Sequence, residues 1–148
     1  MSYLVDTNIL IYSSAEDSEF FSRAGDFIKK CRLEAETWCI TWVNIFEYLR
    51  VITHPGIFKI PMTASKAEEN IAAFLSLPNI ELLEEKNGFF EIYREISAEA
   101  GIVSGNLVHD AHIAALMKAH GVKKIYTLDA QFRIFSFLEV IIPFKTIK

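Results

Sequence analysis

Short apolar runs alternate along the chain with longer stretches in which apolar residues recur at helical spacing. Tyr3 to Val5 is an apolar run that stops at Asp6 and reads as a first strand, and Thr7, Asn8 and Ile9 to Tyr12 read as a turn into a short helix. Phe20, Ala24, Phe27, Ile28 and Cys31 mark one face of a second helix over roughly Glu19 to Ala35, with Asp17 and Ser18 as candidate caps. Trp38 to Ile40 is a second strand. Thr41 then caps a helix from Trp42 to about Ile52, and Asn44, three residues on, lacks the carboxylate of a capping box. Pro55 and Gly56 end that helix, and residues 56–62 form a loop.

The pattern repeats in the second half. Thr63 or Ser65 caps a helix over about Ala64 to Leu77, which Pro78 and Asn79 stop. Ile80 to Leu83 is a strand, Asn87 and Gly88 a turn, and Phe89 to Ala100 a helix. Gly101 and Gly105 bracket a loop before a helix from Leu107 to His120, with Gly121 in the position that follows its C-cap. Lys124 to Thr127 is a strand, Asp129 to Phe135 a short helix or turn, and Val140 to Ile142 a last strand closed by Pro143. Short apolar strands separated by such helices predict an α/β fold: a three-layer α/β/α sandwich around a mostly parallel sheet of four to five strands. With no repeat, linker or low-complexity tract, residues 1–148 read as a single domain.

Composition narrows the function classes. Hydrophobic residues are 51% of the chain and Phe occurs 12 times, which excludes intrinsic disorder and leaves apolar surface for a partner. The formal charge of −4 supplies no global field for nucleic acid, so a passive phosphate binder is disfavoured. Cys31 and Cys39 form no CxxC pair and read as small buried residues of a reducing compartment. No apolar run reaches the length of a membrane span, and the first residues lack a basic start, so a cytoplasmic location with no membrane association is expected.

The candidate chemistry lies in four carboxylates. Ligands of open α/β sheets bind beyond the carboxyl ends of the strands. Asp6 directly follows the first strand, and Asp129 follows the strand that ends at Thr127. Asp110 lies in the first turn of its helix, and Glu47 sits within an apolar one beside Phe46, Tyr48 and Leu49. Converging acids repel one another, and hard divalent cations reverse that cost. An acid-only donor set suits Mg²⁺ or Mn²⁺ better than zinc, and such ions promote phosphodiester hydrolysis. Each acid also has a structural reading. Asp6 and Asp129 suit caps or turns, Asp110 a helix N-terminus, and Glu47 a salt bridge with Arg50 or Arg94.

The chain resembles the PIN-domain ribonucleases, and more narrowly the VapC-type toxins of bacterial and archaeal toxin–antitoxin pairs. Val5-Asp6-Thr7-Asn8-Ile9-Leu10 is similar to the first family motif and carries its first acid. The run from Trp42 to Pro55 is similar to the second, with its metal-binding acid on Glu47, and its tail from Arg50 resembles one VapC subgroup. Asn106 to Ala115 is similar to the third, with the acid on Asp110. Thr127-Leu128-Asp129-Ala130-Gln131-Phe132 is similar to the fourth, placing Thr127 and Asp129 on polar site positions. Gly56 and Gln131 depart from residues common among relatives, and neither departure removes an acid.

The resemblance implies a PIN-like fold and a single-strand-selective endoribonuclease that uses Mg²⁺ or Mn²⁺. Its products would carry 5′-phosphate and 3′-hydroxyl ends, and its targets would be structured tRNA or rRNA loops. It also implies inhibition by a cognate antitoxin and a homodimer. Asp6, Glu47 and Asp110 are expected to hold the main metal, and Asp129 to complete the cluster. Thr7 and Asn8 are expected to orient carboxylates or water, Thr127 to hydrogen-bond Asp6, and Asn106 to cap its helix or face the pocket. A PIN nuclease of housekeeping RNA processing, without an antitoxin, is the alternative.

RNA contact requires cations near the acids, and Arg50, Lys59 and Arg133 are the candidates. Lys29, Lys30 and Arg32 form the densest basic cluster and read as a solvated helix face. His109 and His112 lie three apart without an HExxH pattern and are not expected to bind metal. Phe20, Phe21, Phe27, Phe89, Phe90 and Tyr93 exceed what single helix faces need, which suits either a deep core or a protein interface.

Overall fold

The computed structural model describes residues 2–144. Its strands are β1 (Tyr3–Val5), β2 (Trp38–Thr41), β3 (Ile80–Leu83), β4 (Lys124–Tyr126) and β5 (Glu139–Ile141). They form one sheet in the order β3-β2-β1-β4-β5, and every pairing is parallel. The expected three-layer α/β/α sandwich on a mostly parallel five-stranded sheet is present, and among the described residues every strand pairing in it is parallel. Its helices are α1 (Thr7–Ser14), α2 (Phe21–Leu33), α3 (Trp42–Ile52), α4 (Ala64–Leu75), α5 (Phe89–Ala100) and α6 (Leu107–Ala119). A 3₁₀ turn covers Ala130–Ile134.

Strand side chains alternate between two cores, as a sheet covered on both faces requires. Tyr3, Val5, Trp38, Ile40, Ile80, Leu82 and Tyr126 pack on one face with α1–α4. Leu4, Cys39, Leu83, Ile125 and Val140 pack on the other with α5, α6 and the 3₁₀ turn. Both cysteines are free and buried. No helix among the described residues is long and apolar enough to cross a membrane.

Several boundaries shift for local reasons. The second helix begins at Phe21, not Glu19, and ends at Leu33. Its N-terminus has no side-chain cap; Ser18 Oγ instead accepts from the Phe20 amide at 3.1 Å within the preceding turn. Thr63, not Ser65, caps α4, which stops at Leu75 rather than Leu77. Thr127 falls just beyond β4, although its amide still bonds to the Ile141 carbonyl of β5, and its hydroxyl donates to Asp6. Gly121 has φ 70° after α6, and Val122 N–H reaches the Met117 carbonyl at 2.9 Å, as a Schellman ending requires.

The largest correction concerns Asn44. A capping box is present without a carboxylate: Thr41 Oγ1 accepts from Asn44 N–H at 3.2 Å, and Asn44 Oδ1 accepts from Thr41 N–H at 3.0 Å. Its amide nitrogen is thereby left pointing across the sheet top, where it donates to Thr7 Oγ1 at 2.9 Å. Asn44 is fully buried, so this one side chain both starts α3 and ties it to the β1–α1 turn. Asn44→Ala leaves buried partners on Thr41 and Thr7 unpaired and should lower stability by about 2–4 kcal/mol. Urea unfolding measures this, and an unchanged midpoint would remove Asn44 from the bridge.

Candidate functional site

In this strand order the chain moves from β1 outward to β2 and β3, then returns to the other side of β1 with β4 and β5. The switch point lies between β1 and β4, and a crevice forms beyond the carboxyl ends of such a pair. Asp6 closes β1 there, and Thr127 and Asp129 follow β4.

Asp6 is 7% exposed and held from several sides. Its Oδ1 accepts from Thr7 N–H at 2.8 Å, which caps α1. Its Oδ2 accepts from the Thr127 hydroxyl at 2.7 Å. Asn44 Nδ2 stands 3.5 Å from Oδ1, and the Asp6 amide donates to the Tyr126 carbonyl at 2.9 Å. Burial raises its pKa to about 6; the Thr127 and Thr7 hydrogen bonds pull it down, while Asp129 and Glu47 push it up. Thr127 links the rest. It accepts from Asn8 Nδ2 at 3.4 Å and from the Asp129 amide at 3.0 Å, and Asn8 Oδ1 faces the Leu128 amide at 3.4 Å.

Asp110 is half-buried in the first turn of α6. Burial raises its pKa to about 7, followed by repulsion from Asp6, Asp129 and Glu47. All four predicted acids therefore share one electrostatic neighbourhood, although they arrive from separate elements. They do not share one coordination sphere: among the described residues no three His, Cys, Asp or Glu side chains stand close enough to hold a metal. Two of the four are engaged elsewhere. Glu47 pairs with Arg50 at 2.7 Å, and Asp129 Oδ1 accepts from Gln131 N–H at 2.9 Å, capping the 3₁₀ turn. Arg94 pairs with Glu91 instead of Glu47.

The other expectations divide. Thr7, Asn8 and Thr127 touch Asp6 or its partners. Asn106 is exposed and makes no side-chain cap, because its backbone is helical where a capping residue is extended. Arg50 is bound to Glu47, while Lys59 and Arg133 are exposed in the 56–62 loop and the 3₁₀ turn. His112 pairs with Glu85 at 2.6 Å, and His120 Nε2 lies 2.7 Å from the Glu84 carbonyl, so both belong to the far side of α6. Asn44 is the residue that sequence reasoning passed over, although its three-residue spacing from Thr41 was the available signal.

An acid-only donor set whose free carboxylates are held above their usual range fits a hard divalent cation. The ion pair that holds Glu47 is largely solvated and contributes little, so it offers small resistance to a competing cation.

A family model for the PIN domain matches residues 3–138. The chain is 34% identical to Ribonuclease VapC48 of Mycobacterium tuberculosis over 145 residues, covering 98% of this chain and 99% of that one. Among solved structures it is similar to VapBC2 from Rickettsia felis bound to a promoter DNA fragment (TM-score 0.63, 19% identity, 95% and 98% coverage). It is also similar to VapC20 of M. tuberculosis, described as a sarcin-ricin loop cleaving toxin (TM-score 0.62, 16% identity, 88% and 92% coverage).

The raised Asp110 pKa has a thermodynamic consequence. In the folded state Asp110 holds its proton to about pH 7, against 3.8 for the free group. The folded form then binds more protons than the unfolded one, so this stabilisation is full below the unfolded pKa and lost as pH rises to about 7. In metal-free buffer Asp110→Asn should melt several degrees above the parent at pH 8, and the gain should shrink towards pH 4. Thermal melts with chelator across that range test it; a pH-independent difference would contradict the shared charge.

Proposed function

The chain belongs to the PIN-domain family, in its VapC branch, and we propose that it is a divalent-metal-dependent endoribonuclease, the toxin of a toxin–antitoxin pair. The observation that carries this reading is the meeting of Asp6, Glu47, Asp110 and Asp129 in one electrostatic neighbourhood at the switch point of the sheet.

Asp6, Glu47 and Asp110 would hold Mg²⁺ or Mn²⁺, and Asp129 would complete the acidic set. A bound cation of this kind neutralises the clustered charge, offsets that of the scissile phosphate and makes a bound water more acidic. The chain supplies the framework. Thr7 N–H and the Thr127 hydroxyl fix the Asp6 carboxylate in one orientation, and Asn8 and Asn44 fix Thr127 and Thr7 in turn. Arg50, Lys59 and Arg133 are the cations available for RNA phosphates. Hydrolysis joins a water oxygen to phosphorus and breaks the bond to the 3′ oxygen, which takes up a proton, leaving 5′-phosphate and 3′-hydroxyl ends. Structured tRNA or rRNA loops are the substrate class.

Antitoxin binding and a homodimer belong to the same reading. Their support is the exposed aromatic surface: Phe46 is 63% exposed beside Trp42, and Phe90 is 66% exposed and stacked on Tyr93. Single-domain monomers seldom leave such rings to water. The solved structure of the similar Rickettsia VapBC2 is itself a complex.

Asp6→Asn should reduce Mg²⁺- or Mn²⁺-dependent cleavage of single-stranded RNA at least 100-fold, with circular dichroism unchanged. Full activity in a folded Asp6→Asn protein would overturn the assignment. Divalent metal should also reverse the melting order at pH 8, stabilising the parent above Asp110→Asn.

A further inference from the structure

A cleft of about 470 Å³ lies among α1, α3 and the loops that follow them. Two helices line it: α1, which Asp6 caps, and α3, which carries Glu47. On α1, Asn8 and Tyr12 are one turn apart and face the cleft, and Asn8 also holds Thr127 against Asp6. On α3, Val51 faces it one turn beyond Glu47. Through Asn8 the cleft adjoins the residues that hold Asp6, and through Val51 the helix that carries Glu47.

Two loops build its walls. The turn before α2 contributes Asp17, Ser18, Glu19 and Phe20, and the loop after α3 contributes Ile57 and Phe58. Phe20 packs edge-on against Tyr12, with ring centroids 5.0 Å apart, and the Arg23 guanidinium lies 5.4 Å from its centroid. Three aromatic side chains therefore line one small cleft, and two exposed carboxylates stand at its rim. Among the described residues, no Lys or Arg lines it.

This composition suits a flat heterocycle better than a phosphate or a peptide backbone. Aromatic rings stack on any nucleobase. Ionised carboxylates only accept hydrogen bonds, so they select a base edge rich in N–H donors, and guanine presents adjacent N1–H and N2–H₂ groups. The volume is within the range of small-ligand pockets. The geometry points to this cleft as the subsite for an unpaired guanine base next to the scissile phosphodiester. Tyr12, Phe20 and Phe58 supply the stacking surface, and Asp17 and Glu19 read the base edge. The inference rests on the nuclease reading above for the identity of the neighbouring bond.

Amide NMR of the full chain with guanosine 5′-monophosphate tests the cleft without requiring cleavage. The expected result is saturable shifts at Tyr12, Ser18, Phe20, Val51 and Phe58, with uridine 5′-monophosphate at least fivefold weaker. Phe20→Leu and Phe58→Leu keep apolar bulk and remove the ring face, and each should weaken binding about tenfold. Asp17→Asn combined with Glu19→Gln should abolish the preference for guanosine over uridine. Shifts confined to residues around Asp6 and Asp110, or equal affinity in all variants, would overturn the subsite and leave the cleft to a protein partner. Cleavage-end sequencing of an RNA pool supplies the second arm. The parent should cut beside guanine, and the double variant should lose that preference. Cutting without base preference would overturn the subsite, whereas no cutting by the parent would overturn the nuclease reading and leave the nucleotide titration to decide the cleft.

Discussion

A buried carboxylate at the end of the central strand is the constraint around which this molecule is arranged. Asp6 cannot keep its charge in that position without donors, and three elements deliver them: α1 through the Thr7 amide, the end of β4 through the Thr127 hydroxyl, and α3 through Asn44. The same bonds fix the relative heights of β1, β4 and α3. Satisfying one acid therefore ties these three elements together at the top of the sheet; Glu47 and Asp129 are carried on two of them, and Asp110 arrives separately on α6. The donors are incomplete compensation, since the pKa of Asp6 still stands near 6.

Much of the fold was legible because its signals were local. A parallel sheet buried on both faces turns strands into short apolar runs, and turn residues punctuate them, so all five strands were visible within a residue or so. The errors came where a side chain made a different bond from the one its position suggested. Ser18 looked like a helix cap but spends its oxygen inside the preceding turn, so α2 starts later. Asn44 looked like a failed capping box because a carboxylate was expected, yet an amide both accepts from Thr41 and donates to Thr7. A carboxylate at that position could not have made the second bond. The amide is the side chain that serves a site crowded with acids.

The acids themselves were legible by their placement at strand ends and helix starts, but their states were not. Sequence position says nothing of whether Glu47 faces Asp6 or Arg50, and it is the Arg50 pair that forms. Nor does it say that Asp129 uses an oxygen to begin a 3₁₀ turn. The structural readings of Asp6, Glu47 and Asp129, and the metal reading, are thus compatible rather than rival. A capping or ion-paired carboxylate keeps a second oxygen or a second rotamer.

That compatibility separates the four acids by what it costs to recruit them. Asp6 is fixed, because releasing it would strand the buried Thr127 hydroxyl and the Thr7 amide. Glu47 is held by a solvated ion pair, which contributes little and is weakened by salt. Among the described residues Asp110 has no such partner, and it answers to burial and to its like-charged neighbours. A cation drawn to this set would meet one rigid carboxylate that defines its position and others that can adjust to it. Repulsion among the carboxylates, rather than a gap in the packing, is what a divalent cation would relieve. The same division bears on Arg50: in the pair it screens Glu47, and a Glu47 drawn onto a cation would free its guanidinium.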